Sequence, residues 1–282
     1  MAKSALLKSS IAKKYWMALT GLFLCLFLVG HLIGNLQLIY ADALAFNQYA
    51  LFMTSNPAVK ILSYVTYASI LFHSIDGILL TIQNRKARPV KYVMNKPEKN
   101  TVWASRNMAV LGTLILVFIV THMVNFWAVM HFDKNMPLQT QQVSFANGQK
   151  MDVYMTTTGS YIPVEQVKGG PMMQKTMDIK NRTEFYNTET GLKMAEGYKD
   201  LHKITVDFFQ QPTYGLLYTL LYVLAMLVLA FHLYHGFGSA FQSLGANNPK
   251  YNGAIKKFGY AFAIIVPLLF AAIPLYIHFL LK

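Results

Sequence analysis

The sequence predicts an all-α membrane protein, a bundle of five transmembrane helices with a long external loop between helices three and four. Three observations carry that expectation. Five runs are apolar over the roughly 20 residues that a helix needs to cross a bilayer. The chain is 54% hydrophobic and only 13% charged over its 282 residues, a balance found in membrane proteins rather than soluble domains. Its basic residues gather in alternate links between the apolar runs.

The spans fall at Tyr15–Tyr40, Ala58–Asn84, Val102–Met130, Thr213–Ser243 and Ile255–Leu281. The first follows Lys13 and Lys14 as a signal peptide would, but its apolar stretch is too long and no small-residue cleavage site follows. It reads as a retained helix. No low-complexity tract or internal repeat stands out. The chain thus divides into 1–130 (helices one to three), 131–212 (an external loop or small cap) and 213–282 (helices four and five). Cys25, the one cysteine, lies inside an apolar run and reads as a small packing residue. A single thiol excludes a disulfide, a four-thiolate zinc site and an iron–sulfur cluster held by this chain alone.

The net charge of +13 is explained by orientation. Lys3, Lys8, Lys13 and Lys14 precede helix one. Arg85, Lys86, Arg88, Lys91, Lys96 and Lys99 link helices two and three against the single acid Glu98, and Lys250, Lys256 and Lys257 link four and five. The link from Ala41 to Pro57 has no Lys or Arg. The positive-inside rule then puts the amino terminus in the cytoplasm and the carboxyl terminus outside. The 131–212 segment, with nine basic and nine acidic residues, is long enough to translocate regardless of charge. Nucleic acid is not needed as a partner.

Histidines sort by depth. At 1.5 Å per residue, His31 and His122 are roughly 24 and 30 Å from the cytoplasmic starts of helices one and three. His73 and His232 are roughly 22 and 28 Å from the outer starts of helices two and four. Two imidazoles therefore share an outer level and two an inner one. An intramembrane histidine is costly. One alone reads as well as a hydrogen-bonded core residue as a ligand, but four on four successive helices, paired in depth, point to ligation. Two bis-histidine haems, one above the other, would satisfy all four.

Glycine spacing separates His232 from His235. In "HSIDG" (His73–Gly77) and "HLYHG" (His232–Gly236), glycine follows histidine by four residues on one helix face, where a missing side chain admits a flat macrocycle. His235 has Ser239 at that position and points roughly 60° away from His232, one residue in 3.6 being about 100°. It is left to bond a haem propionate or a quinone, or to cap a polar network. "GHLIGN" brackets His31 with Gly30 and Gly34, and "THMVN" around His122 has no glycine. Asp76, in mid-helix two, could bond a propionate, take a proton or reach polar neighbours. Arg106 matches a haem carboxylate bidentately, or serves as an interfacial anchor beside Trp103.

These stretches resemble a known family. "HLIGN", "HSIDG", "SRNMAVLG" leading to His122, and "HLYHGFGSAFQSLG" look like the single-chain, di-haem cytochrome b subunit of bacterial succinate:quinone oxidoreductases, the succinate dehydrogenases and fumarate reductases. The resemblance covers the five helices, with the fourth-helix motif the most specific. It implies two haem b groups, the proximal one on His73 and His232 and the distal one on His31 and His122. It also implies a flavoprotein and an iron–sulfur subunit on the cytoplasmic face of the bacterial inner membrane, and a quinone, commonly menaquinone, reacting near the distal haem. Without a flavin or nucleotide motif, the chain is not expected to oxidise succinate alone. The rivals are a cytochrome b anchor of a hydrogenase or formate dehydrogenase, and a haem-free transporter relaying protons through Asp76 and the histidines.

One departure is large. The 131–212 segment is far longer than a helix connection needs, and "MDVYMTTTGSYIPV" within it has strand character. A cap over the outer quinone region and an insertion with no part in electron transfer are both open, and the insertion is the simpler expectation.

Overall fold

The structure, a computed structural model, describes residues 9–90, 96–145 and 148–281; Lys91 lies outside them. Ten helices and six strands follow in order among the described residues, apart from one short 3-10 and one π-helical turn: α1 (Ser10–Tyr40), α2 (Ala43–Ser55), α3 (Pro57–Lys86), α4 (Trp103–Arg106), α5 (Met108–His122) and α6 (Val129–Phe132). Then come β1 (Thr140–Ser144), β2 (Lys150–Met155), β3 (Tyr161–Pro163), α7 (Val164–Lys168), β4 (Met177–Lys180), β5 (Glu184–Asn187) and β6 (Lys193–Glu196). The chain ends with α8 (Leu201–Gln210), α9 (Gly215–Ser243) and α10 (Pro249–Phe279).

Five stretches are long and apolar enough to cross a membrane: Ile11–Tyr40, Pro57–Lys86, Met108–Phe132, Gly215–Ser243 and Pro249–Phe279. They give the chain the character of a multi-pass membrane protein. Local chemistry sets their ends. Asn56 caps α3 through its side-chain oxygen, which accepts from the Ala58 amide (2.9 Å), with Pro57 in the first turn; Asn248 and Pro249 repeat the device at α10. Each side chain takes an amide that the helix itself leaves unpaired.

Helix α9 is central, packing on α10, α1 and α5, while α3 lies against α1 and α5. The bundle core joins Leu32 and Leu38 of α1 to Leu233 and Phe237 of α9 and to Phe262, Val266, Ile273 and Ile277 of α10. Gly259 lets Phe237 close on α10, because a Cβ there would sit 2.8 Å from the ring. Cys25 packs against this core, the place expected of it. The outward faces are apolar as well. Val110, Leu114, Val117, Val120 and Val124 are each at least 50% exposed and recur every three or four residues, as a lipid-facing stripe would.

The third span departs from the single helix expected over Val102–Met130. It is broken at Asn107 (φ −106°, ψ 13°) between α4 and α5. The Asn107 side chain donates to the Trp103 carbonyl (2.9 Å), a local bond that competes with helix continuation. After His122 the backbone widens into a π-helical turn over Met123–Ala128.

The all-α expectation needs correction in the 131–212 segment, which holds two three-stranded antiparallel sheets, β1-β2-β3 and β4-β5-β6. The strand character of "MDVYMTTTGSYIPV" falls on β2 and β3. Phe185, fully buried, anchors a second core with Leu138, Tyr154 and Ile162. The segment is not separate from the bundle. Phe46 of α2 and Phe209 of α8 enter the bundle core, and Asn47 of α2, 1% exposed, ties that helix to the segment. Its Nδ2 donates to Asp200 Oδ1 (2.9 Å) and to Gln139 Oε1, and its Oδ1 accepts from the His202 amide (3.0 Å). At the other edge, Lys199 Nζ donates to the Met130 carbonyl (2.9 Å) and Arg182 to the His131 carbonyl. Two cations thus cap the electronegative end of the third span. Burial, then the Arg182 charge, holds Lys199 below the ordinary lysine range.

Candidate functional site

The four intramembrane histidines meet in two pairs. His73 of α3 and His232 of α9 have ring centroids 6.2 Å apart and planes inclined at 69°. His31 of α1 and His122, the last residue of α5, are 5.9 Å apart at 88°. These are the pairings that depth along the helices predicts.

Three helices measure the offset between the pairs independently. Gly21 of α1 faces His73, a Cβ there lying 3.1 Å from the ring, and His31 follows ten residues later. Gly112 of α5 faces His232 at 3.8 Å, and His122 follows ten residues later. Tyr222 of α9 sits beside His122, its hydroxyl 3.5 Å from Nδ1, and His232 follows ten residues later. Ten residues at 1.5 Å separate the two levels by roughly 15 Å along the bundle.

Each ring has a distinct surround. His73 Nδ1 donates to the Met17 carbonyl (3.2 Å), with Thr20 Oγ1 at 3.3 Å. A carbonyl only accepts, so Nδ1 carries the proton and Nε2 keeps a free lone pair. His31 lies between Phe27 and Phe270, with Asn35 Nδ2 3.4 Å from its Nδ1. His122 packs against Phe118, Phe126 and Tyr222. His232 Nδ1 is buried with no hydrogen-bond partner among the described residues.

The remaining histidines are engaged elsewhere. His235 pairs through Nε2 with Ser239 Oγ (3.2 Å), the residue standing where the His232 motif has glycine. His131 donates to the Trp127 carbonyl and His278 to the Phe209 carbonyl. Gly77 has no atom within 4 Å of where a Cβ would stand, and Gly236 has only Met108 Cε at 3.9 Å, so both faces are open. Gly34 has a different use from the one its spacing suggests: Tyr49 packs on it, 2.8 Å from a would-be Cβ. Arg106 is exposed and its guanidinium donates to the Thr101 carbonyl. Asp76 makes no ion pair among the described residues. Sequence reasoning missed the roles of Gly21 and Gly112. Both lie in apolar runs without a motif, and only packing across helices reveals what each faces.

Each pair could supply two imidazole nitrogens, His73 with His232 and His31 with His122. Among the described residues no three His, Cys, Asp or Glu side chains gather as ligands for a bare ion. Two imidazoles whose ring centres stand about 6 Å apart could hold between them a metal-bearing group that brings its other ligands with it. Both pairs match that spacing, and the open faces at Gly77 and Gly236 leave room beside one of them. Comparison with family models, curated proteins and solved structures gives no match to this chain.

Proposed function

We propose that the protein is the membrane anchor and di-haem electron-transfer subunit of a succinate:quinone oxidoreductase, with one haem b held by His73 and His232 and a second by His31 and His122. The observation that carries this reading is the pair of histidine levels, set ten residues apart on three helices. Two imidazoles are too few for a bare ion such as zinc, which takes four ligands; a porphyrin brings four nitrogens and asks the protein for two. Haem, when bound, supplies one-electron redox chemistry. The chain's own part is to hold, orient and insulate. The Met17 carbonyl fixes the tautomer of His73 and strengthens its Nε2 as a ligand. Phe27, Phe118, Phe126 and Phe270 keep water from the outer pair. Gly77 and Gly236 leave space on the inner faces, and Arg106 and His235 serve as peripheral polar contacts on that side.

Charge supports the orientation. Every ion pair among the described residues lies within 131–212, so none of the described lysines and arginines at the opposite end of the bundle is held in one. We place that end in the cytoplasm of a bacterium, facing a flavoprotein and an iron–sulfur subunit, and the 131–212 segment outside the inner membrane. Menaquinone or another quinone then reacts near the outer pair.

The purified protein is expected to contain two low-spin, six-coordinate b-type haems per chain and to co-purify with a succinate-oxidising flavoprotein. One haem or none refutes at least one histidine pair, and co-purification with a hydrogenase or formate dehydrogenase moves the anchor to another complex. Orientation is tested on a Cys25→Ser background with single cysteines at Lys91 and Lys168. A membrane-impermeant thiol reagent added to intact cells should label only the Lys168→Cys variant. The opposite pattern reverses the assignment of inner and outer pairs.

A further inference from the structure

Where α9 ends and α10 begins, on the end of the bundle bearing the basic links, a cavity of about 160 Å³ opens between the two helices. That is well above the roughly 10–15 Å³ that houses one water. The polar side chains around it are His235, Ser239, Gln242, Asn252 and Lys256, with the exposed, stacked Tyr234 and Tyr260 at its rim. Among the described residues no carboxylate lines it. Asn252 spends one amide hydrogen on Asn247 (2.8 Å) and Ser239 engages His235 (3.2 Å). Lys256 has no ion pair among the described residues. Lysine, glutamine and asparagine together offer a surplus of N–H donors, and a surplus of donors around a concave site selects an oxyanion.

We infer that this cavity binds the phosphate of an anionic phospholipid. Two features favour a lipid over a free phosphate. From Tyr260, the exposed Ile264 and Leu268 continue along α10 at four-residue spacing; from Tyr234, the exposed Phe231 and Leu227 continue along α9. The two stripes lead away from the rim along the bundle surface and offer acyl chains a track. The rim tyrosines have the amphipathic character that places such rings at headgroup level, and basic recesses between membrane helices are a known mode of headgroup capture. The inference needs only that the helices span a membrane and does not depend on haem.

The test measures lipid retained by the full chain, purified in mild detergent, by native mass spectrometry and phosphorus analysis. Wild type should keep about one anionic phospholipid per chain. Lys256→Gln should lower retention about tenfold, the loss of one charge-assisted contact. Lys257→Gln, whose side chain does not line the cavity, should retain lipid as wild type does and so controls for bulk charge. Short-chain phosphatidylglycerol added to delipidated protein should raise its melting temperature, whereas inorganic phosphate at the same concentration should not. Equal retention in wild type and Lys256→Gln overturns the proposal, as does an equal loss in Lys257→Gln. Stabilisation by inorganic phosphate alone overturns the lipid assignment.

Discussion

Replacing His232 with alanine is expected to remove one of two b-type haem signals and halve the haem content, and His73→Ala should remove the same signal. The two rings face each other at 6.2 Å, so on the proposed reading each variant removes one of the two imidazoles that would hold the same haem. His31→Ala and His122→Ala should together define the other signal. His235→Ala separates ligation from mere proximity. Its ring is bonded to Ser239, so that variant should keep both haems six-coordinate and at most shift a potential. Optical spectra of the five variants decide the matter. With the inner haem gone, quinone reduction should stop while succinate oxidation with a soluble acceptor continues. Loss of the inner signal in His235→Ala and its survival in His232→Ala would transfer the ligand role between them.

The second large effect concerns Asn47. Asn47→Leu keeps the volume near its original value but strips Asp200 of one of two donors and leaves Gln139 Oε1 and the His202 amide without their partner. Asp200 is 5% exposed and Gln139 6%, so water cannot easily compensate. A cost of about 3 kcal/mol follows from leaving buried polar groups, one of them charged, unsatisfied. Opening of the segment limits cleavage there, so trypsin should cut after Lys203 roughly 100-fold faster in the variant. An unchanged rate would show that the interlock contributes little. The same contact should weaken in acid. Burial pushes His202 below its ordinary value, against a smaller upward pull from Asp200 and Asp42. A histidine depressed in the folded state stabilises fully above its unfolded value of about 6.5 and loses that contribution as pH falls below it. Cleavage should therefore accelerate below about pH 6.5, and His202→Gln should blunt the change.

The five spans were legible because each is predominantly apolar over the roughly 20 residues that cross a bilayer, where a helix satisfies its own backbone; short helices such as α2 and α8 carry no such signal. The histidine pairs were legible for a related reason: a straight helix converts residue number into depth, and antiparallel neighbours run that scale in opposite directions. The limits of the reading are equally physical. Strands of four residues such as Met177–Lys180 and Glu184–Asn187 are too short for alternation to show. The β4–β5 turn rests on Asn181 and Arg182 at positive φ, without the Asn-Gly pair that usually announces one. The break at Asn107 comes from one side chain bonding its own backbone. Gly34 looked like part of a ligand motif and instead admits Tyr49 from α2, a contact that no spacing within α1 encodes.

The ten-residue offset makes three stretches of this chain behave as rulers. Between Gly21 and His31, Gly112 and His122, and Tyr222 and His232, almost any apolar side chain would serve at the positions that only face outward or pack on neighbouring helices, Phe27 and Phe118 beside the outer pair excepted. Length is another matter. One residue inserted or deleted turns everything beyond it by about 100° and shifts it by 1.5 Å, carrying one level's histidine off the axis while the other stays in place. Drift within the family of this chain should therefore be free in letters and frozen in count across those three intervals, and insertions should collect in the links and in the 131–212 segment.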